Sequence, residues 1–204
     1  MKKALFVLAF ALAACGGPSP TAPNNSYGAN PQLPAPQGGL PTVNTARAVG
    51  WPPNAAPRAP AGFVVTRYAE GLEHPRTVYT LPNGDVLVAE SSTKPEHGGG
   101  VVGWVRNHIQ RQAGALGHSA DRITLLRDTD GDGRVDQRQV FAEHLNQPIG
   151  MLLLGDRFYV ANTDSVVRFR YAPDAVHVPG EGEVILRLPH HDGDNGHWTR
   201  ALTV

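Results

Sequence analysis

Two stretches of the chain spell the same hairpin, and that repetition limits the folds open to it. In the first, an apolar run over 77–81 leads into Pro82-Asn83-Gly84-Asp85 and then Val86-Leu87-Val88-Ala89-Glu90. Asn-Gly between two apolar runs favours the positive dihedrals of a tight hairpin turn. In the second, 149–154 leads through Gly155-Asp156 into Arg157-Phe158-Tyr159-Val160-Ala161, and 165–171 adds a third strand. The likeness of NGDVLVAES to GDRFYVANT is a repeat of supersecondary structure. A hairpin cannot bury its apolar face alone, so repeated hairpins imply stacked neighbours, as in a propeller or a solenoid. Blades of four short antiparallel strands fit the spacing.

The elements between these phrases agree with a β architecture. Residues 62–68 are β-branched and aromatic and predict a strand, followed by a loop over 70–76. Further strands are predicted at 122–127, 135–141 and 184–188. The stretch 91–120 is an irregular insert in which 103–116 is a weak helix candidate. The 23 glycines and 18 prolines suit a loop-rich β protein rather than a helical bundle. The expected fold class is all-β, with elements for roughly two and a half blades of a β-propeller over 61–204. Eighteen basic and eighteen acidic residues balance, so overall charge gives no case for nucleic acid or an anionic membrane. The single cysteine, Cys15, excludes an intrachain disulfide and a cysteine metal cluster.

The first residues have the order of an export signal. Met1-Lys2-Lys3 is basic, 4–13 is apolar, and Leu12-Ala13-Ala14-Cys15 follows. The apolar run is too short for a bilayer span and has the length of a signal-peptide core. Cysteine directly after Leu-Ala-Ala resembles the lipobox of bacterial lipoproteins, in which the thiol at Cys15 would carry a diacylglycerol. An ordinary signal peptide with a chance cysteine is the plainer reading. Gly16 after the cysteine resembles lipoproteins sent to an outer membrane. The expected organisation is a lipoprotein signal peptide over 1–15, a Pro-, Gly- and Asn-rich tether over 16–60, and a folded domain over 61–204. Such a tether has too few large apolar residues to offset the entropy of ordering. Trp51-Pro52-Pro53 suits an entry clamp on the domain and a free linker equally well. The product is expected to be exported and held by its lipid on a membrane facing the periplasm or the cell exterior.

Two loops carry groups with chemistry. Asp128, Asp130, Asp132 and Asp136 stand at positions one, three, five and nine of a loop with Gly133 at six, most of an EF-hand calcium pattern. Gln139 occupies position twelve, where that pattern has a bidentate glutamate, and the flanks read as strands. An Asp- and Gly-rich hairpin turn explains the same residues. The second loop, 189–202, holds His190, His191, Asp192, Asp194, His197 and Arg200 after a strand. Loops at the rim of a rigid β scaffold commonly hold catalytic groups, and a polar inter-strand loop is the simpler account. His74, His97, His108 and His118 share no ligand spacing with supporting carboxylates and read as solvated.

Taken together, GLEHPRTVYTLPNGDVLVAES, DRITLLRDTDGDG, VFAEHLNQPIGMLLLGDRFYVANTDSVVRFRY and GHWTRAL resemble the L-sorbosone dehydrogenase group. That group belongs with the soluble quinoprotein sugar dehydrogenases. The resemblance implies a six-bladed β-propeller of which this chain would be the N-terminal part, inactive alone. It implies pyrroloquinoline quinone as cofactor, often with Ca²⁺, and oxidation of a sugar alcohol or aldehyde group. The electron acceptor is not indicated. By the same resemblance His197 occupies the place of the general base. Arg200 stands at a different spacing from the relatives' Arg-Leu and would face the anionic cofactor or orient the base. A binding or scaffold propeller without catalysis is an alternative. So is a calcium-dependent propeller lactonase or hydrolase, with Asn162 and Asp164 among its metal ligands.

Overall fold

The computed structural model describes residues 28–31, 46–52, 55–95, 100–189 and 197–204. The chain divides into two units, Met1–Ala46 and Arg47–Val204. In the first, the described residues include a bend over 28–30. The signal peptide, Cys15 and most of the tether lie outside the described residues. Trp51 is 67 % exposed. Among the described residues no helix is long and apolar enough to cross a membrane.

Among its described residues the second unit is all-β apart from one helix. The strands are β1 (Pro75–Thr80), β2 (Val86–Glu90), β3 (Arg122–Arg127), β4 (Gln137–Ala142), β5 (Gly150–Leu154), β6 (Arg157–Ala161), β7 (Ser165–Arg170) and β8 (Glu183–Arg187). The helix, α1 (Gly100–Gln112), lies between β2 and β3 and meets the weak helix signal of the insert. The strands make two four-stranded antiparallel sheets, β1-β2-β3-β4 and β5-β6-β7-β8, each a simple meander. This is a partial, propeller-like all-β fold of two blades. Each hairpin phrase is the first pair of a blade, β1/β2 and β5/β6, in the registers Val78↔Val88 and Leu152↔Tyr159.

The turn chemistry acts as its residue types require. Gly84 is at φ 90° and Gly155 at φ 58°, conformations that cost a Cβ-bearing residue free energy. Asp85 then locks the first turn. Its backbone carbonyl accepts the Leu81 N–H at 2.8 Å. Its carboxylate accepts Arg127 Nε at 2.7 Å and Nη2 at 2.6 Å.

The core lies between the blades. Leu87, Ala89, Ile123, Leu125 and Phe141 of the first sheet pack with Met151, Phe158, Val160, Val167 and Phe169 of the second. Their spacing of two residues puts them on one face of each strand. Phe141 meets the Phe158 ring edge-on at 5.3 Å between centroids. Where β1 approaches β5, the Leu153 N–H donates to the Tyr79 hydroxyl at 3.0 Å.

The strand expected over 62–68 does not form. Phe63, Val64 and Val65 are exposed and no ladder pairs them. Just beyond, the Glu70 and Gly71 carbonyls accept the Arg138 guanidinium at 3.1 and 3.0 Å. A side chain from edge strand β4 thus holds this segment where strand pairing would otherwise do so.

Candidate functional site

Strand direction sorts the polar residues into two opposite ends. β1, β3, β5 and β7 begin, and β2, β4, β6 and β8 finish, at one end, here called the rim. The β1–β2, β3–β4 and β5–β6 turns lie at the other. The four predicted metal ligands sit in the β3–β4 loop, away from the rim. His197 and Arg200 belong to the rim, through one of the two residues between them.

That residue is Trp198. Its ring is 4 % exposed, and its Nε1–H donates to Thr93 Oγ1 at 3.0 Å. The Arg76 guanidinium lies 5.3 Å above the ring, a cation–π distance. Arg76 Nε also donates to the Ser91 carbonyl at 3.0 Å, so it links the end of β2 to the Trp198 segment. Gly150, at the start of β5, allows the next residues to pass: a Cβ there would stand 2.8 Å from the Arg200 carbonyl and 2.9 Å from the Leu202 nitrogen. His197 is therefore an exposed residue held beside a buried anchor. Arg200 Nη1 turns back on its own segment, donating to the His197 carbonyl at 2.7 Å and the Thr199 carbonyl at 3.1 Å. His190, His191, Asp192 and Asp194 lie outside the described residues.

The rim is dense in buried polar groups. Ser91, Ser92, Gln147, Asn162, Thr163 and Ser165 are all buried. Lys94 Nζ bridges Asp121 Oδ2 and Asn146 Oδ1, both at 2.9 Å. Asp121 Oδ1 accepts the Gln147 N–H at 3.0 Å, and Gln147 Nε2 donates to the Ser92 carbonyl at 2.8 Å. Asn162 Oδ1 accepts the Asn146 N–H at 3.2 Å while its amide donates to Ser165 Oγ at 3.2 Å. Asn162 is thus committed to the turn, and so is Asp164, which accepts the Ser165 hydroxyl at 3.0 Å. The Ser92 and Thr163 hydroxyls are buried with no hydrogen-bond partner among the described residues.

Among the described residues, four of the five non-glycine residues at positive φ fall in rim loops: His74, Asp121, His144 and Gln147, at φ 47°, 50°, 58° and 49°. The fifth, Asp174 at φ 61°, lies in the β7–β8 connection at the other end. Such conformations persist only where the surroundings fix them. Asp and His tolerate them best, so the residue types are consistent with their places. Glu90, at the rim end of β2, is fully buried. Its carboxylate accepts Arg122 Nε at 3.0 Å and Nη2 at 3.2 Å, the Thr124 hydroxyl and the Glu73 N–H. Burial pushes the carboxyl up. The bonds from Arg122, Thr124 and Glu73 outweigh it and hold the group below the usual range. Sequence reading passed over these rim residues because Ser, Thr and Gln beside strand ends look like ordinary loop. His74, His108 and His118 are exposed, as expected, and His97 lies outside the described residues.

At the opposite end the structure gathers three of the four aspartates. Oxygens of Asp128, Asp130 and Asp136 lie within 4.8 Å of one another, in reach of a single cation. Asp132 stands apart and caps the Arg134 N–H at 2.8 Å. Asp128 accepts the N–H groups of Gly131 at 2.7 Å and Gly133 at 2.8 Å, with the two glycines at φ 77° and 82°. The Gly133 N–H is the main cause of the lowered Asp128 pKa, and the Thr129 hydroxyl that of Asp136. Both carboxylates are thus held ionised, the state a hard cation needs. A cleft of about 660 Å³, lined by Arg67, Tyr68, Glu70, Leu126, Arg134, Asp136 and Arg138, opens beside this loop and includes no rim residue.

The fold and site thus define a class: an all-β chain of two propeller-like blades with a strained, polar rim. Residues 82–174 match the family described as Domain of unknown function (DUF7133), a span that holds the turn and second strand of the first hairpin, the Asp-rich loop and the whole second hairpin. No curated protein and no solved structure matches the chain.

Proposed function

We propose that the chain is the N-terminal part of an exported, lipid-anchored quinoprotein dehydrogenase that oxidises a sugar alcohol or aldehyde group. The observation that carries the reading is the Trp198 anchor, which leaves His197 exposed over the rim. In this role an imidazole nitrogen of His197 takes the proton from the substrate hydroxyl. Arg200 is the residue that would face the anionic cofactor, and Arg76 and Lys94 add cationic side chains at the same rim. The quinone, when bound, accepts the hydride from the substrate carbon. Lys94 is oriented by Asp121 and Asn146, and Arg76 by the Ser91 carbonyl and Trp198. Ca²⁺ would be held by Asp128, Asp130 and Asp136, at the far end from His197, where its part is to fix the β3–β4 loop.

The test has two stages. The product of the complete gene is reconstituted with pyrroloquinoline quinone and Ca²⁺, and dye reduction is followed with sugars and sugar lactols. His197→Ala should lower turnover by about 10²–10⁴-fold while leaving cofactor uptake intact. Absence of cofactor uptake together with absence of dye reduction would refute the proposal. The lactonase reading loses support because Asn162 and Asp164 are engaged in their own turn.

A further inference from the structure

Helix α1 is built the wrong way round for a helix that packs on a β sheet. At about 100° per residue, Gly103, Asn107 and Gln110 share one face. Gly103 is buried and the other two are half-buried, so this small and polar face is the one turned to the protein. The opposite face carries Val101, Val102 and Val105, which are 78 %, 77 % and 42 % exposed, together with half-buried Ile109 and the exposed polar side chains of His108 and Gln112. Trp104, 67 % exposed, sits at the edge of that face, stacked on His108 at 5.8 Å. Arg106 and Arg111 fall on the two borders between the apolar face and the protein, and the helix sequence has no acidic residue. Large apolar groups presented to water in one patch mark a surface that meets a partner.

We propose that α1 is an interfacial helix that lies on an anionic phospholipid surface. Three features select this partner. The apolar arc is flanked on both sides by arginine, the arrangement of helices that lie in a headgroup plane. Tryptophan at the edge of the arc is the side chain that favours the interface itself. The local charge is positive in a chain whose total charge is zero, which complements anionic headgroups. Val101, Val102 and Val105 would enter the acyl boundary, and Arg106 and Arg111 would meet phosphate. The contact goes beyond a lipid on Cys15: it would set how the domain lies on the bilayer. It does not depend on the dehydrogenase reading.

The experiment uses the full chain carrying Cys15→Ala, so that no acyl anchor contributes. Sedimentation with phosphatidylcholine vesicles is compared with that of vesicles containing phosphatidylglycerol. Binding should require the anionic lipid and should weaken on the order of 30-fold in Arg106→Gln/Arg111→Gln, at about 1 kcal/mol per cation. Val101→Asp/Val105→Asp should abolish it; these side chains face solvent, so the far-UV spectrum should be unchanged. Tryptophan emission should shift to the blue on anionic vesicles, in Trp51→Phe as in the parent but not in Trp104→Phe. That fluorescence arm decides the matter even if the aspartate variant misfolds. No binding to anionic vesicles, or binding that survives both double substitutions, overturns the proposal. So does a dimer in light scattering that Val101→Asp/Val105→Asp converts to monomer, since the face would then belong to a second copy.

Discussion

Glu90 is the residue whose loss should be felt furthest. It is a fully buried carboxylate on the second strand of the first blade. Replacing it with alanine leaves the Thr124 hydroxyl and the Glu73 N–H without their acceptor. It also leaves Arg122, whose side chain is 26 % exposed, with its contact to Glu73 at 3.2 Å as its remaining ion pair among the described residues. Removing one partner of a buried, hydrogen-bonded ion pair costs about 3–5 kcal/mol. For a domain of this size that is a fall in Tm of about 6–20 °C. The measurement is thermal and urea unfolding followed by far-UV circular dichroism, with the parent chain alongside. Glu90→Gln keeps the volume but removes the charge, and should fall between the two. The sign with pH follows from the lowered folded pKa. The ionised group stabilises the fold above its unfolded pKa of about 4.3, and that contribution disappears as pH drops through the folded value. Glu90→Gln should therefore flatten the acid limb of the stability curve. An alanine variant that loses less than about 1 kcal/mol, the net value of a single ordinary hydrogen bond, would show that the cluster is not the buried ion pair described.

Other outcomes follow from the same geometry. Gly150→Ala should displace the 200–202 backbone and expose Trp198, read as a red shift in emission and a loss of about 1–3 kcal/mol from overpacking. Gly182→Ala should destabilise more than Gly155→Ala. A methyl at Gly182, with φ 75°, meets Phe169 and Val167 at 2.6 Å, whereas at Gly155 it meets open space. In terbium luminescence, Asp128→Asn should weaken lanthanide binding at least about tenfold, while Asp132→Asn should leave it nearly unchanged, because only the first contributes to the three-carboxylate cluster. Asp85→Asn should lower stability near neutral pH and have little effect in strong acid. The Arg127 pair holds the Asp85 carboxyl below its usual range, so that stabilisation is lost as pH falls through the folded value.

Much of the scaffold could be read in the chain because its signals are local. Asn83-Gly84 and Gly155-Asp156 mark hairpin turns, and alternation around them marks the strands, so both opening pairs of the blades were visible. The Asp-rich loop was visible for the same reason, since turn residues and carboxylates lie within nine positions. The failure at 62–68 has the converse cause. Its residues have strand propensity, but a strand forms only with a partner ladder, and the chain just beyond is held by the Arg138 side chain instead.

The sequence alone determined the strand menu, the hairpin turns, the neutral charge and the choice of His197 as a residue to watch. Only the tertiary structure decided the rest. It put the Asp-rich loop at the far end of the sheets from His197, because alternating strand direction sends successive turns to opposite ends. It excluded Asp132 from the carboxylate group and buried Glu90 beneath Arg122. It gathered Asp121, Gln147, Ser92 and Thr163 at one rim from loops far apart in the chain. It also turned the valines of α1 outward. Each of these depends on which face of an element meets a neighbour, and that is settled by contacts between residues distant in sequence, on which local propensity has no hold.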